Sequence, residues 1–226
     1  MKIPHIRMPL KNKENNFIDS PLVKITEKMG FKIEMQYPKL GMENAINECL
    51  VRKEVLDKLI EAKSYLPENI TFKIWDAYRP FKLQEELYYK YKDKIIDEFN
   101  LKKLPKEEQN KVINYYVSLP VWNEDYPPLH TTGGSIDLTL YDKKTGKDLD
   151  MGIPFDSFSN LTNTAAYEDE GMDEEIRDNR RVLYSVMIKA GFTNLPSECW
   201  HFDYGNKNWS YYKSKPAIYN GIYEIK

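Results

Sequence analysis

Two short segments of this chain carry residues of the kind that bind metal ions. His130 and Asp137 begin and end the segment His-Thr-Thr-Gly-Gly-Ser-Ile-Asp, while Glu198 and His201 begin and end Glu-Cys-Trp-His. The chain has only three histidines, and two of them fall here. Two histidines and one aspartate match a catalytic zinc site, in which three protein ligands leave the fourth position to water. A glutamate just before the last ligand is placed to take a proton from that water.

Each of these residues also has an ordinary structural explanation. A lone histidine such as His130 is usually a surface-loop residue, and His201, between two aromatic residues, is equally compatible with a buried histidine bonded to the backbone. Asp137 favours the metal, because a carboxylate in an apolar strand should be excluded unless it is paired or ligated. Positions three apart on an ideal strand face opposite sides, so Glu198 must lie in a turn or bulge to reach the same metal.

Arg79 adds a positive charge at the end of a predicted strand. Because a proline follows it, its guanidinium is a candidate for binding an oxyanion or carboxylate. A salt bridge with Asp76 is the alternative, and this segment alone does not separate the two. Asp203 lies two positions after His201, on the same side of a strand, so a supporting contact with that histidine is one alternative, but a surface acid is the expectation. Cys199 is expected to be a small apolar filler.

Hydrophobic periodicity predicts the elements that must position these residues. The expected fold is α+β, a single domain over residues 1–226 with a central antiparallel sheet flanked by helices and an irregular lead-in at about 1–30. The predicted strands span 31–37, 70–75, 135–141 and 199–204. The predicted helices span about 52–66, 81–99, 106–118 and 173–190, and a hairpin turn is expected at 142–146.

Two of these elements have predicted faces. The helix at 52–66 is expected to bury Val55, Leu56, Leu59, Ile60 and Ala62. The strand at 135–141 is expected to direct Ser135, Asp137 and Thr139 to one side of the sheet and Ile136, Leu138 and Leu140 to the other.

Composition excludes several classes of function. The chain has 226 residues with a formal net charge of −2, so it has no overall basic field for nucleic acid or an anionic membrane. Two cysteines are too few for a disulfide framework. No apolar run approaches the roughly 20 residues that span a bilayer, and the N-terminal residues lack the apolar core of a signal peptide. The expected location is the cytoplasm.

Three motifs together resemble the D-alanyl-D-alanine dipeptidase family. They are Trp-Asp-Ala-Tyr-Arg-Pro at 75–80, the segment that starts at His130 and continues through Ile-Asp-Leu-Thr-Leu, and Glu-x-Trp-His at 198–201. The resemblance extends from about residue 34 to residue 204, and Met-Gly-Ile-Pro-Phe-Asp at 151–156 also matches.

The resemblance implies a role for each matching residue. One zinc ion per chain would be bound by His130, Asp137 and His201, with Glu198 as the catalytic base and Arg79 stabilising the tetrahedral intermediate. Asp156 and Tyr37 would meet the free amino group of a small dipeptide substrate.

Three departures from the family pattern concern the substrate rather than the metal. Pro128 stands where the family usually has serine, and a proline has no N–H or hydroxyl to donate. Ser135 stands where alanine is usual. The stretch between Arg79 and His130 is also long. These differences leave the identity of the dipeptide open.

The sequence therefore supports a zinc-dependent hydrolase of small dipeptides with a free amino terminus, D-alanyl-D-alanine first among them. One alternative is a D,D-carboxypeptidase or endopeptidase that acts on cell-wall peptides. Another is a zinc-stabilised binding module without catalytic activity, although such a site needs neither Glu198 nor Arg79. The oligomeric state is not predicted.

Overall fold

The computed structural model describes residues 1–6, 14–117 and 119–225. The strands are β1 (Leu22–Lys24), β2 (Lys32–Ile33), β3 (Leu50–Arg52), β4 (Ile70–Asp76), β5 (Ser135–Asp142), β6 (Lys147–Asp148), β7 (Thr193–Asn194) and β8 (His201–Asp203). The α-helices are α1 (Gln36–Lys39), α2 (Lys53–Lys63), α3 (Phe81–Glu98), α4 (Lys106–Tyr116), α5 (Glu174–Lys189) and α6 (Lys207–Lys213). Ser118, where the sequence predicted the end of a helix, lies outside the described residues.

The main sheet is built around β5. Its strand order is β2-β4-β5-β8-β7, with β6 pairing to the far end of β5. The predicted α+β class is confirmed, and every pairing in this sheet is antiparallel except that of β2 with β4. That parallel pair differs from the prediction because the chain between β2 and β4 passes through α2, a crossover that returns it in the same direction.

One face of the sheet carries the main hydrophobic core. Phe72 and Ile74 of β4, Leu138 of β5 and Phe202 of β8 are fully buried there. The two amphipathic helices α2 and α5, which also contact each other, pack against this face. The alternation predicted for β5 agrees with this arrangement, since Ile136, Leu138 and Leu140 belong to the core while Ser135, Asp137 and Thr139 do not.

The chain around the first predicted strand differs from expectation. The pairing of β2 ends at Ile33, and α1 follows in place of further strand, so Tyr37 lies on a helical turn. The lead-in at 1–30 is not wholly irregular, because β1 pairs with β3 in a separate two-stranded sheet. These pairings are only two or three residues long, too short for periodicity to reveal.

The chain after the last strand forms a helix that the sequence did not predict. The last strand covers only His201–Asp203, and α6 follows it directly. The Asn206 side chain accepts a hydrogen bond from the backbone N–H of Trp209 at 3.1 Å and so caps this helix. A helix of seven residues has too few turns for its apolar pattern to stand out.

No helix in the described part of the chain is both long enough and apolar enough to cross a lipid bilayer.

The buried face of α2 is narrower than the sequence predicted. Leu59 is fully buried, whereas Ile60, which was assigned to the same face, is 44% exposed. We expect Leu59→Ala to lower the free energy of unfolding by about 2–5 kcal/mol, since it removes buried contacts and leaves a cavity. Ile60→Ala is the matched control and should change stability by less than about 1 kcal/mol. Urea denaturation of both variants measures the difference, and equal losses would contradict this account of the core.

Candidate active site

Two neighbouring strands and a turn bring the candidate metal ligands together. Asp137 lies on the central strand β5, where its backbone is paired with His201 of β8 on one side and with Asp76 of β4 on the other. The register of β4 shifts between Ile74 and Asp76, and this bulge places Asp76 opposite Asp137. His130 lies just before β5, on a 3-10 turn that spans Leu129–Thr132. The ligands therefore come from two adjacent strands and the turn that leads into one of them.

The donor atoms of these residues converge. Nε2 of His130 lies 3.4 Å from Oδ2 of Asp137, and Nδ1 of His201 lies 3.0 Å from Oδ1 of the same carboxylate. The two imidazole nitrogens are 3.2 Å apart, and all three residues are buried. Oδ1 of Asp137 has no hydrogen-bond donor among the described residues. A buried acceptor left without a donor, facing two imidazole nitrogens, fits a cation bound between them.

The second nitrogen of each histidine has its own acceptor. Nδ1 of His130 lies 2.7 Å from the Ala77 carbonyl oxygen, and Nε2 of His201 lies 3.0 Å from Oδ1 of Asp203. Each of these nitrogens therefore carries the proton, as assigned from the hydrogen-bond network. The opposite nitrogens, Nε2 of His130 and Nδ1 of His201, keep free lone pairs directed at Asp137. Such tautomer control is typical of metal-binding histidines, and this donor set suits zinc.

Asp137 is ionised in this setting. Burial alone would raise the pKa of its carboxyl, but His130 and His201, when they carry positive charge and donate hydrogen bonds to it, lower the pKa by more, to well below the ordinary value. The carboxylate is therefore available as an anionic ligand.

Glu198 meets the geometric condition set by the sequence. It lies outside β8, in a turn where its N–H donates to the Leu195 carbonyl at 3.0 Å and its carbonyl accepts from the His201 N–H at 3.2 Å. Because the chain turns here, its carboxylate faces the same side as His201, with Oε2 3.8 Å from Nδ1 of the histidine. Burial raises the pKa of Glu198 to about 7, although 27% of its side chain is exposed to the cavity. A carboxyl with this pKa can both accept and release a proton near neutral pH.

Arg79 is held by several hydrogen bonds at the edge of the candidate metal site. Its Nε donates to Asp76 at 2.9 Å, its Nη1 to Gln84 at 2.8 Å and its Nη2 to the Tyr37 hydroxyl at 3.1 Å. The salt bridge with Asp76 that the sequence left open is therefore present. Nη2 also lies 3.7 Å from Oδ2 of Asp137. These contacts fix the plane of the guanidinium at the edge of the metal site, so the ion pair and a role toward a bound oxyanion are compatible.

Asp156 and Tyr37 lie in the same cavity. The backbone of Asp156 has a φ of 53°, a left-handed conformation that is uncommon for a residue with a side chain. Its Oδ2 accepts a hydrogen bond from the Tyr91 hydroxyl at 2.8 Å. Burial raises the pKa of Asp156 to about 6. A positive group beside this carboxylate would stabilise its charged form.

All seven residues that the sequence singled out line one cavity of about 460 Å³. The long stretch between Arg79 and His130 forms α3 and α4, and both helices contribute to the wall of this cavity. Further lining residues are Gln84, Leu87 and Tyr91 of α3, Asn114, Tyr115 and Tyr116 of α4, and Leu195, Pro196 and Ser197 beside Glu198. The long stretch between Arg79 and His130 thus helps to set the shape of the cavity that is available to a ligand.

The two single-residue departures lie in different places. Pro128 lines the cavity, so the polar contact expected from the usual serine is missing from the wall. Ser135 is fully buried and donates a hydrogen bond to Oδ1 of Asp203 at 2.7 Å. Cys199 is buried beside Trp75 and Trp200 as a small apolar filler, as expected.

The prediction for Asp203 was wrong, and Tyr91 was not recognised. Asp203 is fully buried against His201 and is not a surface acid. Its position two residues after a ligand was the available signal, because alternate residues of a strand share a face. Tyr91 gave no such signal, since the helical pattern around it does not show which side chain reaches Asp156.

Comparisons with known proteins point to one family. A family model described as D-Ala-D-Ala dipeptidase matches residues 39–218. The D-alanyl-D-alanine dipeptidase of Synechocystis sp. is 28% identical over 178 residues, which cover 72% of each chain. The enzyme of the same name from Enterococcus faecium is 29% identical over 162 residues, covering 70% of this chain and 74% of the relative.

Two further proteins are similar to this chain. The D-alanyl-D-alanine dipeptidase of Escherichia coli is 29% identical over 156 residues, covering 69% of this chain and 66% of the relative. The solved structure of VanYB in complex with D-alanine-D-alanine aligns over 77% of this chain and 84% of that chain, with 14% identity and a TM-score of 0.43. The family match spans most of the chain and all three motifs, and we conclude that this protein belongs to the D-Ala-D-Ala dipeptidase family of zinc metallopeptidases.

Proposed function

We propose that this protein hydrolyses small dipeptides with a free amino terminus, D-alanyl-D-alanine first among them. The observation that carries the proposal is the placement of a three-ligand metal set, a carboxyl with a raised pKa, a fixed guanidinium and a second carboxylate around one cavity. The zinc ion, held by His130, Asp137 and His201, would polarise the scissile carbonyl and acidify a bound water.

In this proposal Glu198 moves the proton. Its carboxylate accepts a proton from the attacking water and then delivers it to the amine of the leaving residue. The pKa of about 7 suits both halves of this cycle. The Glu198 side chain lies close enough to the metal set for this task, because its Oε2 is 3.8 Å from a donor nitrogen of His201.

Arg79 would stabilise the negative charge that develops on the carbonyl oxygen. A guanidinium carries five N–H donors, and the contacts with Asp76, Gln84 and Tyr37 do not use the second N–H of Nη1. The contacts with Asp76, Gln84 and Tyr37 hold the guanidinium in place before the substrate binds, so little reorganisation is needed.

Asp156 would select the free amino terminus. Its carboxylate is buried, is oriented by the Tyr91 hydroxyl and lines the cavity. Carboxylates outnumber cationic groups around the guanidinium of Arg79, since Asp76, Asp137 and Asp156 all lie near enough to raise its pKa. A bound ammonium group would offset part of this negative charge, whereas an N-blocked peptide would leave the Asp156 carboxylate unpaired. Tyr37, whose hydroxyl accepts from Arg79, would contribute a further polar contact to the amino group.

The first test concerns Glu198. We expect Glu198→Gln to keep bound zinc and to lower kcat by about 10²–10⁴-fold, because the amide cannot accept the proton. His201→Ala should lose both zinc and activity. Zinc content by atomic absorption and turnover of D-alanyl-D-alanine measure the two effects separately. Near-native turnover of Glu198→Gln would assign the base to another group.

The second test concerns Arg79. We expect Arg79→Lys to lower kcat by about 10²–10³-fold, the usual cost of removing one oxyanion donor. Lysine keeps the charge but loses the planar fork that contacts Asp76, Gln84 and Tyr37 together. Zinc content and melting temperature serve as controls for a wider disturbance. Activity within about twofold of the native enzyme would leave Arg79 as an ion pair only.

The third test concerns the amino terminus of the substrate. The native enzyme should hydrolyse D-alanyl-D-alanine far faster than its N-acetyl form, because the blocked peptide leaves a buried carboxylate unpaired. Asp156→Ala should reduce this preference mainly by slowing the free dipeptide. Equal rates for both substrates with the native enzyme would favour a carboxypeptidase or endopeptidase acting on longer peptides. Zinc binding without any hydrolysis would favour a non-catalytic binding module.

The cytoplasmic location expected from the sequence stays a prediction, which fractionation of the producing cells would test.

A further inference from the structure

One buried carboxylate contacts the metal set without belonging to it. Asp203 is fully buried on β8, two residues after His201. Its Oδ1 lies 3.0 Å from Nε2 of His201, the ring nitrogen that faces away from Asp137. Each ring nitrogen of His201 therefore has a carboxylate beside it, Asp137 at Nδ1 and Asp203 at Nε2.

Three further donors hold the Asp203 carboxylate in place. Ser135 Oγ donates to Oδ1 at 2.7 Å, Asn206 Nδ2 donates to the same oxygen at 2.6 Å, and Asn208 Nδ2 donates to Oδ2 at 2.6 Å. Asn206 also donates to the Ser135 hydroxyl at 2.9 Å. All four of these residues are buried. A buried ion with this many donors has a fixed orientation, and the cost of burying its charge is offset.

The support comes from the part of the chain that follows the ligand. Asn206 is the residue whose side chain caps α6, and Asn208 lies in the first turn of that helix. The other metal histidine is supported differently, since Nδ1 of His130 faces the neutral carbonyl of Ala77 at 2.7 Å. That nitrogen also lies 3.4 Å from Oδ2 of Asp76, a carboxylate that is paired with Arg79. The Asp203 carboxylate, by contrast, lies 3.0 Å from its histidine and is held by three neutral donors.

We propose that Asp203 is a positioning residue for the metal site. By accepting the Nε2–H of His201 it holds the ring in the tautomer whose Nδ1 lone pair faces the metal, and it makes that nitrogen a stronger donor. Ser135, Asn206 and Asn208 keep the carboxylate aimed at the ring. This role depends on the metal set alone, so it holds whichever dipeptide is the substrate.

The arrangement also accounts for Ser135. Its hydroxyl points away from the cavity and toward Asp203, with which its backbone is paired across β5 and β8. The serine therefore binds the carboxylate behind His201 and is not among the residues that line the cavity. Ser135 and Asp203 form one unit, because loss of the hydroxyl would remove a donor from the same oxygen that binds His201.

The experiment is a measurement of zinc affinity by competition with a chromogenic chelator. We expect Asp203→Asn to raise the zinc Kd by about 10–100-fold, the usual effect of losing the partner of a metal-binding histidine. Ser135→Ala keeps the carboxylate and should give a smaller increase. Ser210→Ala is the matched control, because Ser210 is buried in α6 and bonds to the Lys215 carbonyl without touching Asp203. Its zinc Kd should remain native.

Melting of the zinc-free proteins separates positioning from general stability. If Asp203→Asn lowers the melting temperature with and without zinc equally and leaves the zinc Kd native, Asp203 is a structural residue and the proposal is overturned.

A measurement on the unaltered protein tests the role of Asp203 even if Asp203→Asn does not fold. Nitrogen-15 NMR of the histidine rings in the zinc-loaded protein should show His201 protonated at Nε2 and bound to zinc through Nδ1. A ring bound through Nε2 would overturn the proposal. Both measurements detect zinc binding directly, so a failure to hydrolyse dipeptides would refute the proposed function and leave this inference standing.

Discussion

The buried carboxylate of Asp137 is the constraint on which the site depends. It lies at the centre of the sheet, between two strands, where an unpaired charge would be costly. The surrounding groups offset that cost, with His130 and His201 at hydrogen-bonding distance from its two oxygens and the Arg79 guanidinium beyond them. A divalent cation bound by the candidate ligands would offset the remaining negative charge. Such an ion would therefore stabilise the buried carboxylate as well as supply the chemistry.

The sheet makes this site rigid by dividing its two faces between different tasks. The apolar residues of β5 pack against α2 and α5, and Asp137, which alternates with them, lines the cavity on the other side. A shift of one residue in register would exchange these faces, burying the ligand against the core. The extensive pairing of β5 with β4 and β8 therefore stabilises the fold and aims the metal ligands at the same time.

Three segments next to the site are held in place by hydrogen bonds to its residues. The loop after β8 supplies the donors for Asp203, and the turn that carries Arg79 donates its backbone N–H to the His130 carbonyl at 3.2 Å. The turn at Glu198 is closed by the hydrogen bond from the His201 N–H. The turns of Arg79 and Glu198 are therefore tied to the candidate ligands His130 and His201, which explains how these side chains keep a defined geometry.

The sequence by itself determined the chemical identity of the site and the face that Asp137 occupies, because ligand types, motif spacing and strand alternation are local properties. Only the tertiary structure decided which neighbours reach those residues. Tyr88, Tyr89 and Tyr91 follow one another along α3, yet only the packing of the helix shows that Tyr91 bonds to Asp156 while Tyr89 is 64% exposed. Contacts between residues far apart in the chain depend on how the elements pack, and local sequence patterns do not predict this packing.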